Sequence, residues 1–159
     1  MEQFDVAICG FGPVGSTFAG LMGKLGHRVL VIEKNSGPSP TARAINTDGE
    51  QLRTFDRLNI AEKVVENSAE VHRVHFGDAD LNPIQTIDQP VGVSSMGWPT
   101  QVLFYQPELE GFIRSAVAKD SNITLKEDTE LIDFEDTEEG VSLKCVSSDS
   151  EIQYRAKFL

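Results

Sequence analysis

The sequence has few cysteines, few basic residues and no long apolar run, and each shortage excludes a class of protein. Its two cysteines, Cys9 and Cys145, are too few for a disulfide framework or a cysteine metal cluster. Lysine and arginine number 14 against 25 acids, and the resulting net charge of −11 argues against nucleic acid or an anionic membrane surface as a partner. No apolar stretch reaches the length of a bilayer span, and no secretory signal is visible. We therefore expect a cytoplasmic protein whose 159 residues form at most one complete domain.

Histidine is also scarce, with three in the chain, and it does not predict a metal site. His72 and His75 are the closest pair of candidate ligands. Three positions apart on a predicted strand, their side chains would point to opposite faces. We predict no bound metal.

The first 33 residues contain every part of a dinucleotide-binding βαβ unit in the required order. An apolar strand over 6–9 leads into a Gly-x-Gly-x-x-Gly turn over 10–15, and a helical segment follows. A second apolar strand over 29–32 then ends at Glu33. An isolated Gly-x-Gly-x-x-Gly pattern is weak, but the strand, turn, helix, strand and terminal acid together are the context that the motif requires. The sequence therefore predicts a nucleotide site at this turn.

Each part of the motif has its own predicted role. Gly10 makes the tight turn, Gly12 lets backbone N–H groups approach a pyrophosphate, and Gly15 lets the helix pack close to the strand. Pro13 suits the first helical position, where an N–H is not needed. Glu33 is placed to accept hydrogen bonds from a ribose, and its charge would repel a 2′-phosphate. The pocket is thus expected to favour FAD or NAD over NADP.

The rest of the chain alternates between helical and extended patterns. The pattern predicts a helix over 47–58 with Thr47 as the N-cap and Glu50 completing a capping box. Strand patterns near the carboxyl end, separated by turn-like residues, predict a three-stranded β-meander. The other predicted elements are a loop over 34–41, a short helix over 61–66, extended pieces over 71–76 and 84–87, a helix over 107–118 and a strand over 123–125; the meander strands cover 130–134, 141–146 and 152–158.

Four segments of the sequence together resemble a known family. They are GFGPVGSTFAGLMGKLGHRVLVIEK, TARAINTDGEQLRTFDRLNI, FYQPELEGFIRSA and the meander ending in YRAKFL. In this order and spacing they resemble the FAD-dependent aromatic hydroxylases, the single-component flavoprotein monooxygenases of the p-hydroxybenzoate hydroxylase type. The chain looks most similar to the hydroxyphenylpropionate and chlorophenol hydroxylase branch.

The resemblance implies an α/β fold with a Rossmann-like FAD-binding βαβ sheet of the glutathione-reductase kind. A β-meander crossover and the beginning of a second, substrate-domain sheet would complete it. Residues 1–70 and 100–159 would then form the FAD-binding domain, and 71–99 the first strands of the substrate-domain sheet. In the family, the strand resembling YRAKFL leads into a Gly-Asp-Gly-like loop that touches the cofactor. The chain ends before such a loop, so we expect it to be the amino-terminal part of a longer enzyme.

The resemblance also implies the cofactor contacts. The glycine turn would hold the FAD pyrophosphate and Glu33 the adenosine ribose. Arg43 would approach the pyrophosphate or the ribityl chain, where its guanidinium offers a fork of donors, and Gln106 would contact the flavin side. The predicted cofactor-binding residues are Gly10, Gly12, Pro13, Val14, Gly15, Glu33, Lys34, Arg43 and Gln106.

For the complete enzyme, the resemblance implies hydroxylation of an aromatic substrate. NADH or NADPH would reduce FAD, O2 would add at the flavin C4a position, and the hydroperoxide would transfer an oxygen atom to a phenol. The partners are therefore an aromatic small molecule and O2, and a homo-oligomer is left open. The sequence identifies no catalytic side chain, because the flavin carries this chemistry.

Three other interpretations remain open at this point. An NAD-dependent dehydrogenase or reductase would use the same βαβ unit, although it would normally continue with further βα units rather than a meander. A truncated, non-catalytic fragment would bind FAD weakly or not at all. An antibiotic-inactivating monooxygenase of the same fold is nearly indistinguishable from this much sequence.

Overall fold

The computed structural model describes residues 3–38 and 40–159, which form two compact units. The first unit comprises the chain up to Pro40 together with Glu110–Leu159, and the second comprises Thr41–Leu109. In chain order the elements are β1 (Gln3–Cys9), α1 (Pro13–Lys24), β2 (Val29–Ile32), β3 (Asn46–Asp48), α2 (Gly49–Arg57), α3 (Ala61–Glu66), β4 (Ala69–Glu70), β5 (Arg73–Gly77), β6 (Pro83–Asp88), β7 (Gln101–Leu103), α4 (Gln106–Val117), β8 (Ile123–Lys126), β9 (Glu130–Thr137), β10 (Gly140–Ser147) and β11 (Ser150–Phe158).

The first unit is built on a six-stranded sheet in the order β8-β2-β1-β11-β10-β9. Strands β8, β2, β1 and β11 run parallel, and β9, β10 and β11 form an antiparallel meander. The last meander strand returns to the parallel sheet, where Phe4 of β1 pairs with Ala156 of β11. This arrangement confirms the predicted α/β class, the βαβ unit and the meander.

The core of this unit lies around β2, whose four residues are all buried. A parallel strand with neighbours on both sides and cover on both faces is apolar along its whole length, which explains the unbroken Val-Leu-Val-Ile sequence. The rings of Phe4 and Tyr154 meet edge to face, with 6.5 Å between centroids. The buried cluster consists of Phe4, Ala7, Leu30, Ile32, Leu143, Cys145 and Ala156.

The second unit contains α2, α3, a three-stranded sheet in the order β3-β7-β4, and the β5–β6 hairpin. The helices bury one apolar face each, through Leu52 and Phe55 on α2 and Val64 on α3. Short extended pieces over 71–76 and 84–87 were predicted, and they form the hairpin. Strands β3, β4 and β7 have two or three residues each and were not predicted. The functional division into FAD-binding and substrate domains stays a prediction.

The predicted capping box of α2 is wrong. Asp48, not Thr47, is the N-cap, and its carboxylate accepts a hydrogen bond from the Gln51 N–H at 2.9 Å. Thr47 lies in β3 opposite Val102 of β7. Because this pairing keeps the backbone extended as far as Asp48, the helix begins only at Gly49, and the cap moves one residue along the chain. Within the described residues, no helix is long and apolar enough to cross a membrane.

Asp5 joins three strands of the first unit. Its carboxylate accepts hydrogen bonds from Lys157 Nζ of β11 at 2.8 Å and from the Arg28 N–H, next to β2, at 2.9 Å. The hydrogen bond from Lys157, followed by the one from Arg28, lowers the pKa of Asp5 from 3.8 to about 2. Since the folded state binds this proton more weakly, Asp5 stabilises the fold fully above pH 3.8 and loses this effect as the pH falls through about 2.

We expect Asp5→Asn to lower the melting temperature at neutral pH, because the amide keeps an acceptor but loses the charge that attracts Lys157. The variant should also lose less stability than the wild type between neutral and strongly acidic pH. Thermal unfolding followed by circular dichroism at several pH values measures both effects. Asp136→Asn, on the exposed surface of β9, is the matched control. Identical acid dependence in wild type and Asp5→Asn would contradict this assignment.

Candidate functional site

The glycine turn brings the start of α1 directly over the end of β1. Gly10 has a φ of +101°, a conformation that favours glycine, and its N–H donates to Ile32 O at 2.8 Å. A Cβ at Gly15 would lie 2.1 Å from the Gly10 carbonyl oxygen. No side chain fits at this distance, so the close packing of helix and strand requires glycine at position 15.

Gly12, in contrast, borders open space. It is the N-cap of α1, with φ −73° and ψ −173°, and no side chain caps the helix there. A Cβ added at Gly12 would meet no atom within 4 Å. Pro13 opens the helix, the first turn carries no acidic residue, and Val14 is 85% exposed. The N-terminus of this 12-residue helix is therefore accessible to an anion, which its N–H groups and dipole favour.

Glu33, the acid that follows β2, is held in a defined orientation. Its Oε2 accepts the Phe11 N–H at 2.8 Å, and its Oε1 accepts the Asn35 N–H at 2.8 Å and Asn35 Nδ2 at 3.0 Å. Its backbone is fixed as well, because Glu33 N donates to Lys126 O at 2.9 Å and Thr129 N donates to Glu33 O at 3.0 Å. The glycine turn and the acid are thus one hydrogen-bonded unit.

These contacts also set the charge of Glu33. Partial burial opposes ionisation, but the hydrogen bonds from Phe11 and Asn35 and the nearby charge of Arg114 outweigh it and lower the pKa of Glu33. The carboxylate is therefore ionised at neutral pH. Two carboxylate oxygens together offer about four acceptor positions, and three of them are used by Phe11 and Asn35. Glu33 can therefore accept one further hydrogen bond, from a hydroxyl group of a ligand.

A cleft of about 340 Å³ opens beside this carboxylate. It lies at the carboxyl ends of β1 and β2, which is where open α/β sheets bind their ligands. Its volume is at the lower end of the range for small-molecule sites. The lining residues are Cys9, Gly10, Ile32, Glu33, Lys34, Asn35, Thr129, Glu130 and Leu131.

The structure thus brings most of the predicted site residues together in the first unit. Gly10, Glu33 and Lys34 line the cleft, and the remaining turn residues, Gly12, Pro13, Val14 and Gly15, form the adjacent helix start. The sequence reasoning missed Asn35 and the wall at 129–131. Asn35 lies two residues after Glu33 and could have been found as a local donor, whereas residues 129–131 are nearly a hundred positions away in sequence.

Arg43 and Gln106 lie in the second unit, where the side chain of Gln106 contacts the backbone at Arg43. Gln106 is 2% exposed, and its Oε1 accepts the N–H groups of Arg43 at 2.7 Å and Ala44 at 2.9 Å. The side chain of Gln106 therefore fixes the backbone at Arg43, which is itself exposed. Contact of either residue with a cofactor stays a prediction.

Comparison with known proteins gives one consistent result. A family model described as "FAD binding domain" matches residues 3–159. The chain is 26% identical over 155 residues to the 3-(3-hydroxy-phenyl)propionate/3-hydroxycinnamic acid hydroxylase of Mycobacterium sp. (strain JLS). This alignment covers 98% of this chain and 27% of that protein. The chain is 36% identical over 115 residues to the probable NADH-specific resorcinol 4-hydroxylase of Rhodococcus jostii (strain RHA1), over 70% of this chain and 21% of that protein.

Among solved structures, the p-nitrophenol 4-monooxygenase PnpA from Pseudomonas putida DLL-E4 is similar with a TM-score of 0.88. The identity is 23%, and the alignment covers 99% of this chain and 40% of that one, so this likeness concerns the fold. The chain spans about a quarter of the length of the two curated relatives.

The different surroundings of two glycines give a test of the turn geometry. Gly15→Ala should destabilise the protein by about 1–3 kcal/mol or more, because the new Cβ overlaps the Gly10 carbonyl. Gly12→Ala should cost about 1 kcal/mol or less, the loss typical of a poorer N-cap residue. Denaturant unfolding of both variants measures the difference. Equal losses in the two variants would show that the helix is not packed on the strand as described.

Proposed function

The chain belongs to the FAD binding domain family, and we propose that its glycine turn and Glu33 bind the ADP half of FAD in a flavin-dependent aromatic hydroxylase. The family match confirms the resemblance found in the sequence. The observation that carries the proposed site is the Phe11–Glu33 hydrogen bond of 2.8 Å, which fixes an ionised acid beside an accessible helix N-terminus. The residues present therefore fit a dinucleotide.

The pyrophosphate would be held by the glycine turn. Space for it exists above Gly12, where a Cβ would meet nothing within 4 Å, and the N–H groups at the start of α1 supply donors. Val14 and Gly15 would contribute such N–H groups, whereas Pro13 has no backbone N–H. The absence of an acidic residue in the first turn of α1 leaves this end favourable for two negatively charged phosphates.

The adenosine would lie in the cleft beside Glu33. A ribose hydroxyl would donate to the acceptor position left on the carboxylate, which Phe11 and Asn35 hold in place. Thr129 and Leu131 also line the cleft and would provide a surface for the base. The exposed Lys34 also lines the cleft, where its ammonium can neutralise part of the charge of Glu33.

Arg43 and Gln106 would serve the flavin side of the cofactor. The Gln106 amide holds the backbone of Arg43 and Ala44, so the direction in which the Arg43 side chain leaves the backbone is restricted. A guanidinium in such a position suits a phosphate or a ribityl hydroxyl. This assignment rests on the family resemblance and on the restricted backbone.

For the whole protein, we propose hydroxylation of a phenol with NADH or NADPH and O2. The names of the two curated relatives concern hydroxylated aromatic compounds, one of them as an NADH-specific resorcinol hydroxylase. Bound flavin supplies the redox and oxygen-transfer chemistry. The residues of this chain bind and orient the cofactor. The FAD-binding and substrate-domain boundaries, a cytoplasmic location and a homo-oligomeric state belong to the same proposal.

An NAD-dependent dehydrogenase is a weaker alternative. In this structure the chain passes from β8 into the antiparallel meander β9–β11, whereas a doubly wound dehydrogenase sheet continues with βα units. The family match also favours FAD. Visible absorption separates the two interpretations, because bound FAD is yellow and bound NAD is colourless.

We expect Gly12→Val and Glu33→Gln each to weaken FAD binding by at least about tenfold. The valine fills the space next to the phosphate-binding N–H groups, and the glutamine removes a charged acceptor whose hydrogen bonds are worth about 1.5–3 kcal/mol. Titration of the purified chain with FAD, followed by visible absorption and flavin fluorescence, measures the dissociation constants.

Glu66→Gln is the matched control for this titration, because Glu66 is an exposed acid at the end of α3. Its FAD affinity should equal that of the wild type. Unfolding curves of all variants establish that the folded protein is being titrated. Wild-type affinity in both Gly12→Val and Glu33→Gln would remove the assignment of this site.

The activity of the complete gene product is tested separately. With FAD bound, a phenol such as resorcinol or 3-(3-hydroxyphenyl)propionate should stimulate NADH or NADPH oxidation and give a product with one additional hydroxyl group. Stopped assays with product identification by mass spectrometry measure both. Oxidation that no phenol stimulates would refute the aromatic hydroxylase proposal and leave FAD binding to be judged by the titration.

A further inference from the structure

Arg114 of α4 contacts three separate segments of the first unit through one guanidinium. Its Nη1 donates to Glu127 Oε1 at 2.6 Å, and its Nη2 donates to the Gly37 carbonyl oxygen at 2.8 Å. The guanidinium carbon also lies 4.6 Å from the centre of the Phe11 ring. The side chain is 17% exposed, so these contacts are largely shielded from water.

The three contacted segments are the ones that hold Glu33. Phe11 donates its N–H to the Glu33 carboxylate, and Gly37 belongs to the loop that follows Glu33. Glu127 accepts the Gly37 N–H at 2.9 Å, and two residues later Thr129 donates its N–H to the Glu33 carbonyl. Arg114 thus contacts Phe11, which holds the Glu33 carboxylate, and two residues of the segments that flank the Glu33 backbone, Gly37 and Glu127.

We propose that Arg114 is a positioning residue that orients the Glu33 carboxylate toward the ribose of an adenine nucleotide. This inference rests on the proposed function, since it assumes that Glu33 binds a ribose. Arg114 itself contacts no part of the ligand in this proposal. It keeps the Phe11 turn, the Gly37 loop and the Glu127 segment at fixed mutual distances.

The chemistry of these contacts requires arginine rather than any cation. A planar guanidinium can stack on an aromatic ring while its two Nη groups donate in different directions, which a lysine ammonium cannot do. Arg114 Nε is buried without a hydrogen-bond partner in the structure described here. Burial of an unsatisfied N–H is unfavourable, so the stacking and the two Nη contacts must determine where the side chain lies. The charge of Arg114 also contributes to keeping Glu33 ionised.

The test compares two ligands that differ only in the ribose. ADP and 2′,3′-dideoxy-ADP carry the same base and phosphates, so the ratio of their dissociation constants reports the contribution of the ribose hydroxyls alone. Isothermal titration calorimetry with the full chain measures both constants. The wild type should prefer ADP by at least about tenfold, the value of a hydrogen bond to a charged group.

In Arg114→Met this preference should fall to about threefold or less, because Glu33 is no longer held toward the hydroxyls. Arg114→Lys retains the charge and is the second variant should Arg114→Met not fold. It should also lose most of the preference, since lysine replaces neither the stacking nor the second donor.

Val117→Ala is the matched control, because Val117 is buried on the same helix and its truncation destabilises the protein without touching the Glu33 supports. It should lower the melting temperature and leave the preference for ADP unchanged. A preference retained in Arg114→Met or Arg114→Lys would overturn this inference alone. A wild-type chain that binds neither ligand, or binds both equally, would overturn the proposed ribose site and this inference with it.

Discussion

The close contact between Gly15 and the Gly10 carbonyl is the constraint on which the proposed nucleotide cleft depends. It sets α1 directly over the end of β1, and this placement directs the helix N-terminus to the edge of the sheet. The Phe11 N–H then points at Glu33, which follows the neighbouring strand. A wider spacing between helix and strand would separate the N–H groups at the start of α1 from the Glu33 carboxylate. One backbone contact therefore determines the distance between the start of α1 and the Glu33 carboxylate.

The cleft is completed from a distant part of the chain. The meander returns β11 to pair with β1, and the beginning of β9, at the edge of the same sheet, supplies Glu130 and Leu131 to the lining of the cleft. Arg114 and Glu127 both hydrogen-bond to Gly37, in the loop that follows Glu33. The acid is thus supported from the glycine turn, from its own loop and from the segment that precedes the meander.

Sequence patterns predicted the helices and strands well where one continuous segment contains all the residues of the pattern. The βαβ unit, the helix over 107–118 and the three meander strands each have their own period, turn residues or glycines, and the structure contains all of them. The prediction was wrong at Thr47, whose cap role passed to Asp48 because strand pairing with β7 extends the backbone further. Strands as short as β3, β4 and β7 form through their partners and leave little pattern in the sequence.

The sequence by itself determined the nucleotide-binding motif, the apolar strand β2 and the acid that follows it, because these depend on residues within about thirty positions of one another. Only the tertiary structure decided which groups surround Glu33. The residues at 129–131 face the cleft, and Arg114 reaches Gly37 and Glu127. Thr129 and Glu33 are nearly a hundred positions apart, and Arg114 and Gly37 are 77 positions apart. The order of strands in the sheet, which no local period encodes, brings these segments together.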